Sequence, residues 1–322
     1  VSSEIHYASS SRVKPLGSDD PIADAVGLLR PHSVVEPSLH AGGPWAVRFE
    51  PFPHVKMGGV VRGECRLVID GNEPVVLREG DMYLLVNPPS HELTGRRTAE
   101  PQAAEPLWRG ATGGAVQIGP AEEDTHLCLG YFRLDDTNAS MLIDVLPRLV
   151  HVRTSDPRHR FLAHVKEMLS SEVESDALGG SLVMSHLAQI LLVHMLRAHA
   201  EAGGCTGWLA ALGDDGVGVA LRAMHADVAH RWTLGELAGL SRMSRSAFAA
   251  AFKRQIGAAP MDYLIEWRMS LARDALRRNT RTISELTAAT GYESESAFST
   301  AFRRVVGSSP RHYRDAFRDA PG

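Results

Sequence analysis

Arg245, Ser246, Ala249, Ala250 and Lys253 lie across a helix-periodic stretch from Phe248 and Phe252. Fifty residues later, Glu295, Ser296, Ser299, Thr300 and Arg303 stand in the same relation to Phe298 and Phe302. Each phenylalanine pair has the i, i+4 spacing of one buried helix face, which leaves the other residues to solvent. The chemistry this offers is surface recognition. Arginine and lysine attract phosphates with an affinity that falls with salt, alanine offers a methyl contact to thymine, and Glu295 can accept from cytosine N4. Arg245, Lys253, Arg303 and Arg304 are the candidates for phosphate contact. The chain carries no GxSxG, P-loop or dinucleotide fingerprint.

The elements that must position these residues are written twice between residues 232 and 313. Phe248, Phe252, Gly257, Pro260 and Tyr263 recur as Phe298, Phe302, Gly307, Pro310 and Tyr313, and such self-similarity takes priority over other signals. Thr233 with Glu236, and Thr282 with Glu285, fit a capping box. Ser244 and Ser294 fit the N-cap of a second helix, Gly257 and Gly307 its left-handed terminus, and Pro260 and Pro310 the start of the next. Each copy therefore predicts a helix-turn-helix, the first burying Leu234, Leu237 and Ala238, the second Ile283 and Leu286. Residues 260–278 predict a connecting helix of about 28 Å, near the 34 Å repeat of a DNA turn. Met261, Leu264, Ile265, Met269, Ala272 and Leu276 are placed to pack it, and Arg268, Arg273 and Arg277 to give it charge.

This double motif, with Gly291-Tyr292 and the closing residues 307–314, resembles the DNA-binding domain of the AraC/XylS family of bacterial transcription regulators, over the last third of the chain. The resemblance implies base contacts at Ser246, Ala249 and Ala250, and at Glu295, Ser296, Ser299 and Thr300. Several relatives carry large polar residues at the first set. The small residues here therefore leave more of the sequence discrimination to the second helix.

Net charge is −4, which alone argues against nucleic acid, but its distribution along the chain points the other way. From Gly216 onward there are 16 Lys/Arg against 10 Asp/Glu, and before it 18 against 28. The basic excess falls where the repeat lies, the footprint of phosphate attraction. Three cysteines (Cys65, Cys128, Cys205) without a CxxC pair predict a reducing compartment and no disulfide framework. The polar start and the short apolar run at 187–196 predict a cytoplasmic protein with no membrane partner.

The chain ahead of the repeat reads as a polar, mobile tail over 1–20, a short helix from Pro21, then β structure to about residue 155. Strand-like runs occupy 45–49, 55–61, 65–69, 74–77, 82–86 and 125–133, with turns at 70–72 and 79–81, the spacing of a sandwich or barrel. Residues 92–114 read as a loop-rich excursion. Residues 80–85, His91 and 128–132 resemble the cupin-type sensor domain of one branch of the same family, as do residues 207–212 and 267–269 further on. That resemblance implies a jelly-roll barrel and a small-molecule effector, with Trp45, Phe49, His54, Tyr83, His91, Cys128 and Phe132 as candidates for the pocket.

His54, His91, His126 and Cys128 are the available metal ligands, a set suited to zinc. The dense histidine-plus-glutamate pattern of metal-binding cupins is missing, so a lining role is favoured over a metal and no cofactor is expected. Redox sensing by Cys65 or Cys128 requires a lowered thiol pKa. Residues 156–202 read as helical, with Leu162, Val165 and Leu169 on one stripe and Val183, Leu187, Ile190, Leu191 and His194 on another. In the family such helices pair subunits, which implies a homodimer. Gly203-Gly204 and residues 213–216 fit hinges.

The whole predicts an α+β chain: a tail (1–20), a cupin-like jelly roll (21–155), a helical linker and dimerisation segment (156–212) and an all-α double helix-turn-helix domain (213–322). The expected partners are promoter DNA, a small effector, a second copy and, for an activator, RNA polymerase. The alternative is a metal-dependent cupin enzyme fused to a DNA-binding module.

Overall fold

The computed structural model describes residues 16, 20–70, 72–97, 99–111, 114–120, 124–134, 146–175, 177–201 and 208–318. The predicted tail (Leu16 and Asp20 apart), the Gly203-Gly204 hinge and Cys205 lie outside these residues. The chain divides into two compact units, one of residues 25–214, the other running from Asp215 onward and including the N-terminal stretch through Asp24. A short helix, α1 (Pro21–Leu29), opens with Pro21 at its first position and the Asp20 carboxylate accepting from the Ile22 and Ala23 amides.

The larger unit is built on two facing sheets. One carries β1 (His32–Ala41), β3 (Val55–Arg62), β6 (Met82–Val86), β9 (Ala115–Ile118), β10 (Thr125–Arg133) and β11 (Leu149–Val152), in the order β11-β6-β3-β10-β1-β9. The other carries β2 (Ala46–Phe49), β4 (Glu64–Ile69), β5 (Val75–Arg78), β7 (His91–Thr94) and β8 (Gln102–Ala103), in the order β5-β4-β7-β2-β8. Alternation along the strands turns Leu39, Val60, Leu85, Leu127 and Leu129 inward against Val47, Leu67, Leu77 and Leu93, around the fully buried Trp45.

The predicted strand runs are all present, and five strands join them that local pattern did not reveal: β1, β7, β8, β9 and β11. β1 escapes notice because Pro37 interrupts it. Its pairing with β10 shifts register between Glu36 and Leu39, the irregularity at which a strand tolerates a residue without an N–H. The expected loop-rich excursion at 92–114 is corrected to β7, β8 and a helix, α2 (Ala104–Arg109), whose Leu107 and Trp108 pack against the barrel core.

Two helices follow, α3 (Arg160–Ser175) and α4 (Gly180–Glu201). Leu162, Val165 and Leu169 are buried as their spacing predicts, and so are Leu187 and Leu191. Ile190 and Val183, assigned to the same stripe, are instead exposed. The apolar run at 187–196 extends into a helix of 22 residues that contains an 18-residue window of mean hydropathy 1.3, so by length and composition alone it reaches a membrane span, contrary to expectation. It is tied to the sheet. The Gln189 amide donates to the Pro31 carbonyl (3.1 Å), and the Ser33 hydroxyl lies 3.1 Å from that of Ser185. A short helix, α5 (Trp208–Leu212), ends the unit with Trp208 and Leu209 buried.

The second unit is helical: α6 (Val217–Ala226), α7 (Leu234–Leu240), α8 (Arg245–Ile256), α9 (Pro260–Arg277), α10 (Ile283–Ala289), α11 (Glu295–Val306) and α12 (Pro310–Arg318). Both capping boxes form. Thr233 accepts from the Glu236 amide and Thr282 from that of Glu285, while each glutamate accepts from its threonine amide in return. Ser244 and Ser294 accept from the amides of Ala247 and Ala297. Phe248, Phe252, Phe298 and Phe302 are all fully buried. Replacing any one by alanine is expected to cost about 3–5 kcal/mol.

Candidate nucleic-acid interface

The two turn-linked helix pairs, α7–α8 and α10–α11, present matching surfaces. On α8, Arg245, Ser246, Ala250, Lys253 and Arg254 are exposed and Ala249 is half-buried; on α11, Glu295, Ser296, Thr300, Arg303 and Arg304 are exposed and Ser299 is half-buried. The structure thus brings all the candidate base-contact and phosphate-contact residues onto the solvent faces of these two helices. It adds Arg254, whose place beside Lys253 in the last turn was the available signal. Within each set the groups differ in freedom. The Thr300 hydroxyl donates to the Ser296 carbonyl (2.9 Å), leaving its methyl and a lone pair outward. The Arg245 guanidinium lies so near Gly235 that a Cβ there would stand 3.0 Å from it.

The relative placement of the two helices is fixed by contacts that sequence reasoning assigned otherwise. Arg268, expected to charge the surface of the connecting helix, is buried. Its guanidinium donates to the carbonyls of Val228 (2.9 Å) and His230 (2.7 Å) and lies 5.9 Å from the Tyr292 ring centroid. Burial lowers its pKa, the charge of Tyr292 acting in the opposite direction. Arg273 is buried in part and bonds Ser270 (3.1 Å). In helical phase Arg268 falls one turn from Leu264 and Leu271, the inward stripe of α9, and that was the signal to read.

Gly291 completes the lock. It sits at φ +75°, and a Cβ on it would come within 2.1 Å of the Ala229 carbonyl oxygen. Arg231 also pairs with Glu293. The segment ahead of the first helix-turn-helix is thereby pinned to the turn of the second, and α9, 18 residues or about 27 Å long, spans between them. In the first helix-turn-helix the rings of Phe248, Phe252, Tyr263 and Trp267 meet one after another. There the buried His225 lies 2.7 Å from the Tyr263 hydroxyl and stands against Trp267 at 4.2 Å between ring centroids.

The barrel separates the residues grouped above as pocket or metal candidates. Trp45, Phe49 and Tyr83 belong to the packed interior. His91 stacks on Phe49 (5.1 Å, 9°), and its Nδ1 lies 3.1 Å from the Pro89 carbonyl; burial, chiefly, depresses its pKa. His54 accepts from the Leu134 amide (3.3 Å).

His126 and Cys128 alternate with the inward Leu127 and Leu129, so they face out of the barrel. His126 stacks on His40 (4.1 Å). Cys128 lines a cavity of about 20 Å³, room for a water, with Met57, Met82, Lys166, Leu169 and Leu191. Phe132 is buried on the same alternation, outside the interior cluster. The four metal candidates are therefore not brought together, and no group of three possible ligands converges among the described residues. This donor set does not fit a cupin metal. Cys65 is fully buried, and burial, with the charges of Glu64 and Asp81, pushes its thiol up to about 12, which removes the thiolate that redox sensing requires.

Two helix-turn-helix units held as one body, following a cupin barrel in the chain, define a DNA-binding transcription regulator. A cupin family model matches residues 20–201, and a helix-turn-helix model matches residues 237–316. An AraC-like transcription regulator of Streptomyces lividans is 39% identical over 279 residues, covering 86% of this chain and 91% of the relative. One from Streptomyces antibioticus is 38% identical with 86% and 92% covered. Among solved structures, the DNA-binding domain of AdpA in complex with a target DNA is 30% identical, with a TM-score of 0.31, covering 33% of this chain and 95% of that one. The chain belongs to the AraC family of transcription regulators.

Proposed function

We propose that the protein binds its promoter with α8 and α11 in successive major-groove segments, and that a small molecule in the barrel alters this binding. The observation that carries the DNA reading is the pinning of the two recognition helices into one body by Arg268 and Gly291. Arg245, Lys253, Arg303 and Arg304 contact phosphates. Ser246, Ala249, Ala250, Glu295, Ser296, Ser299 and Thr300 face base edges, Glu295 carrying more discrimination than the small residues of α8.

The protein works as a homodimer. Phe161 and Met168 of α3, and Leu182, Val183 and Ile190 of α4, are exposed apolar side chains on a two-helix hairpin, the kind of patch that a subunit partner covers. An effector shifts DNA affinity only if it binds one conformational state more tightly than the other.

The test is binding of the full chain to its own upstream DNA across a salt series, followed by binding-site selection. Specific binding is expected, with a logarithmic salt slope that falls by about 0.9 for each phosphate contact removed, as in Lys253→Ala or Arg303→Ala. Glu295→Ala is expected to relax the selected sequence more than Ala249→Ser and Ala250→Ser together. Absence of specific binding, or the reverse order of effects, refutes the assignment.

A further inference from the structure

Lys56 sits in β3 on the inward alternation of Val60. Its ammonium nitrogen lies 5.5 Å from the Phe49 ring centroid, 5.1 Å from that of Phe52 and 5.2 Å from that of Tyr131. The Glu36 carboxylate of β1 stands 3.3–3.4 Å away. The Lys56 side chain is 15% exposed and that of Glu36 18%, so the group lies just under the surface. Trp108 of α2 meets Phe49 edge-on (5.4 Å, 62°), and its indole N–H is buried without an acceptor among the described residues.

Three aromatic faces around one ammonium, with a carboxylate beside it, form the recognition set for an organic cation. The lysine is a loose occupant. Its ion pair is longer than the 2.7–2.9 Å of a strong charge-assisted bond, and its flexible four-carbon stem reaches solvent readily. An anion attracted to Lys56 would meet the Glu36 carboxylate, whereas a cation taking the place of Lys56 inherits both rings and carboxylate.

We propose, on the reading that the barrel is a sensor, that this cage is its ligand site, that the ligand is a small organic ammonium ion, and that Lys56 is an internal stand-in which the ligand displaces to solvent. Sequence alone hid the site, because Glu36 and Lys56 meet only across strands and Phe52 lies in the β2–β3 loop.

The test uses three probes of one size and different charge, tetramethylammonium, neopentyl alcohol and pivalate, titrated into the full chain and followed by tryptophan fluorescence. Saturable binding of tetramethylammonium is expected, at least tenfold tighter in Lys56→Ala and lost again when Glu36→Gln is added to that variant. In the wild-type protein, tetramethylammonium should raise the rate at which acetic anhydride acetylates Lys56, measured by mass spectrometry; this readout does not depend on any variant folding. Equal binding of neopentyl alcohol, preference for pivalate, or unchanged Lys56 acetylation at saturating tetramethylammonium each overturns the proposal. A parallel DNA titration separates the two readings: ammonium binding at the cage with unaltered DNA affinity upholds the site and removes the sensor role.

Discussion

Gly291→Ala tests whether the two helix-turn-helix units act as one body. Gly257, Gly307 and Gly291 all hold positive φ, at +88°, +85° and +75°. An alanine in that region costs about 1–2 kcal/mol through its Cβ alone. At Gly257 and Gly307 a Cβ meets nothing within 4 Å, so the substitution should cost that amount and no more. At Gly291 the Cβ would stand 2.1 Å from the Ala229 carbonyl oxygen and 3.1 Å from the Arg268 guanidinium. A backbone oxygen cannot swing aside as a flexible side chain does, so the turn of the second motif must back away from the first. The bonds from Arg268 to Val228 and His230 then stretch, and the loss of one such charged bond costs about 1.5–3 kcal/mol. Gly291→Ala should therefore destabilise the helical unit by about 3–5 kcal/mol, against about 1–2 for Gly307→Ala. It should also weaken binding to a two-site operator far more than to either half alone. Thermal unfolding followed by circular dichroism, with DNA titrations below the transition, reads both effects. If Gly291→Ala proves no costlier than Gly307→Ala, the contact with Ala229 does not lock the domain.

Thr233→Ala and Thr282→Ala each remove one half of a capping box and should cost about 1 kcal/mol apiece in thermal unfolding, additively because the boxes lie on separate helices. Burial raises the Asp81 pKa, but the His151 bond (2.9 Å) and the Arg78 amide (3.0 Å) outweigh it, leaving the carboxyl below its ordinary value. Asp81 therefore contributes stability that is complete above the ordinary carboxylate pKa and is lost as pH falls through its lower folded value. Asp81→Asn should accordingly lower the barrel's melting temperature at pH 7, with the difference from wild type shrinking as pH falls below the ordinary carboxylate range. Met168→Glu with Leu182→Glu, at positions 56% and 64% exposed, should halve the mass measured by sedimentation while leaving the circular dichroism unchanged; an unaltered mass places the dimer interface elsewhere.

The helical unit was legible in the sequence because its signals are local. A threonine, a glutamate three residues on, a serine at a turn and a glycine after the last turn each act within one or two turns of helix, and all formed where they stand. The barrel was legible only in part, because pairing joins residues far apart in the chain. β1 depends on partners almost a hundred residues distant, and Pro37 disguises it. The misassigned side chains share one cause: orientation relative to a face, which a shift of one residue reverses. His126 and Cys128 turned outward where lining was expected, Arg268 turned inward where solvent was expected, and Val183 and Ile190 left the buried stripe. Periodicity gives the relative phase of residues along an element, while the absolute phase comes from neighbours that the sequence does not name.

If α8 and α11 read DNA as proposed, the contacts of Arg268 and Gly291 oppose any change in the distance between them. Any mismatch between that distance and the groove repeat must then be absorbed by the duplex, which bends or twists at an energy set by its own base steps. On the proposed docking, base pairs lying between the two grooves and touched by no side chain of α8 or α11 would be read as well, through their stiffness. An operator for this protein is in that sense specified partly by DNA mechanics, and flexible pyrimidine–purine steps placed midway should bind better than an A-tract of the same length.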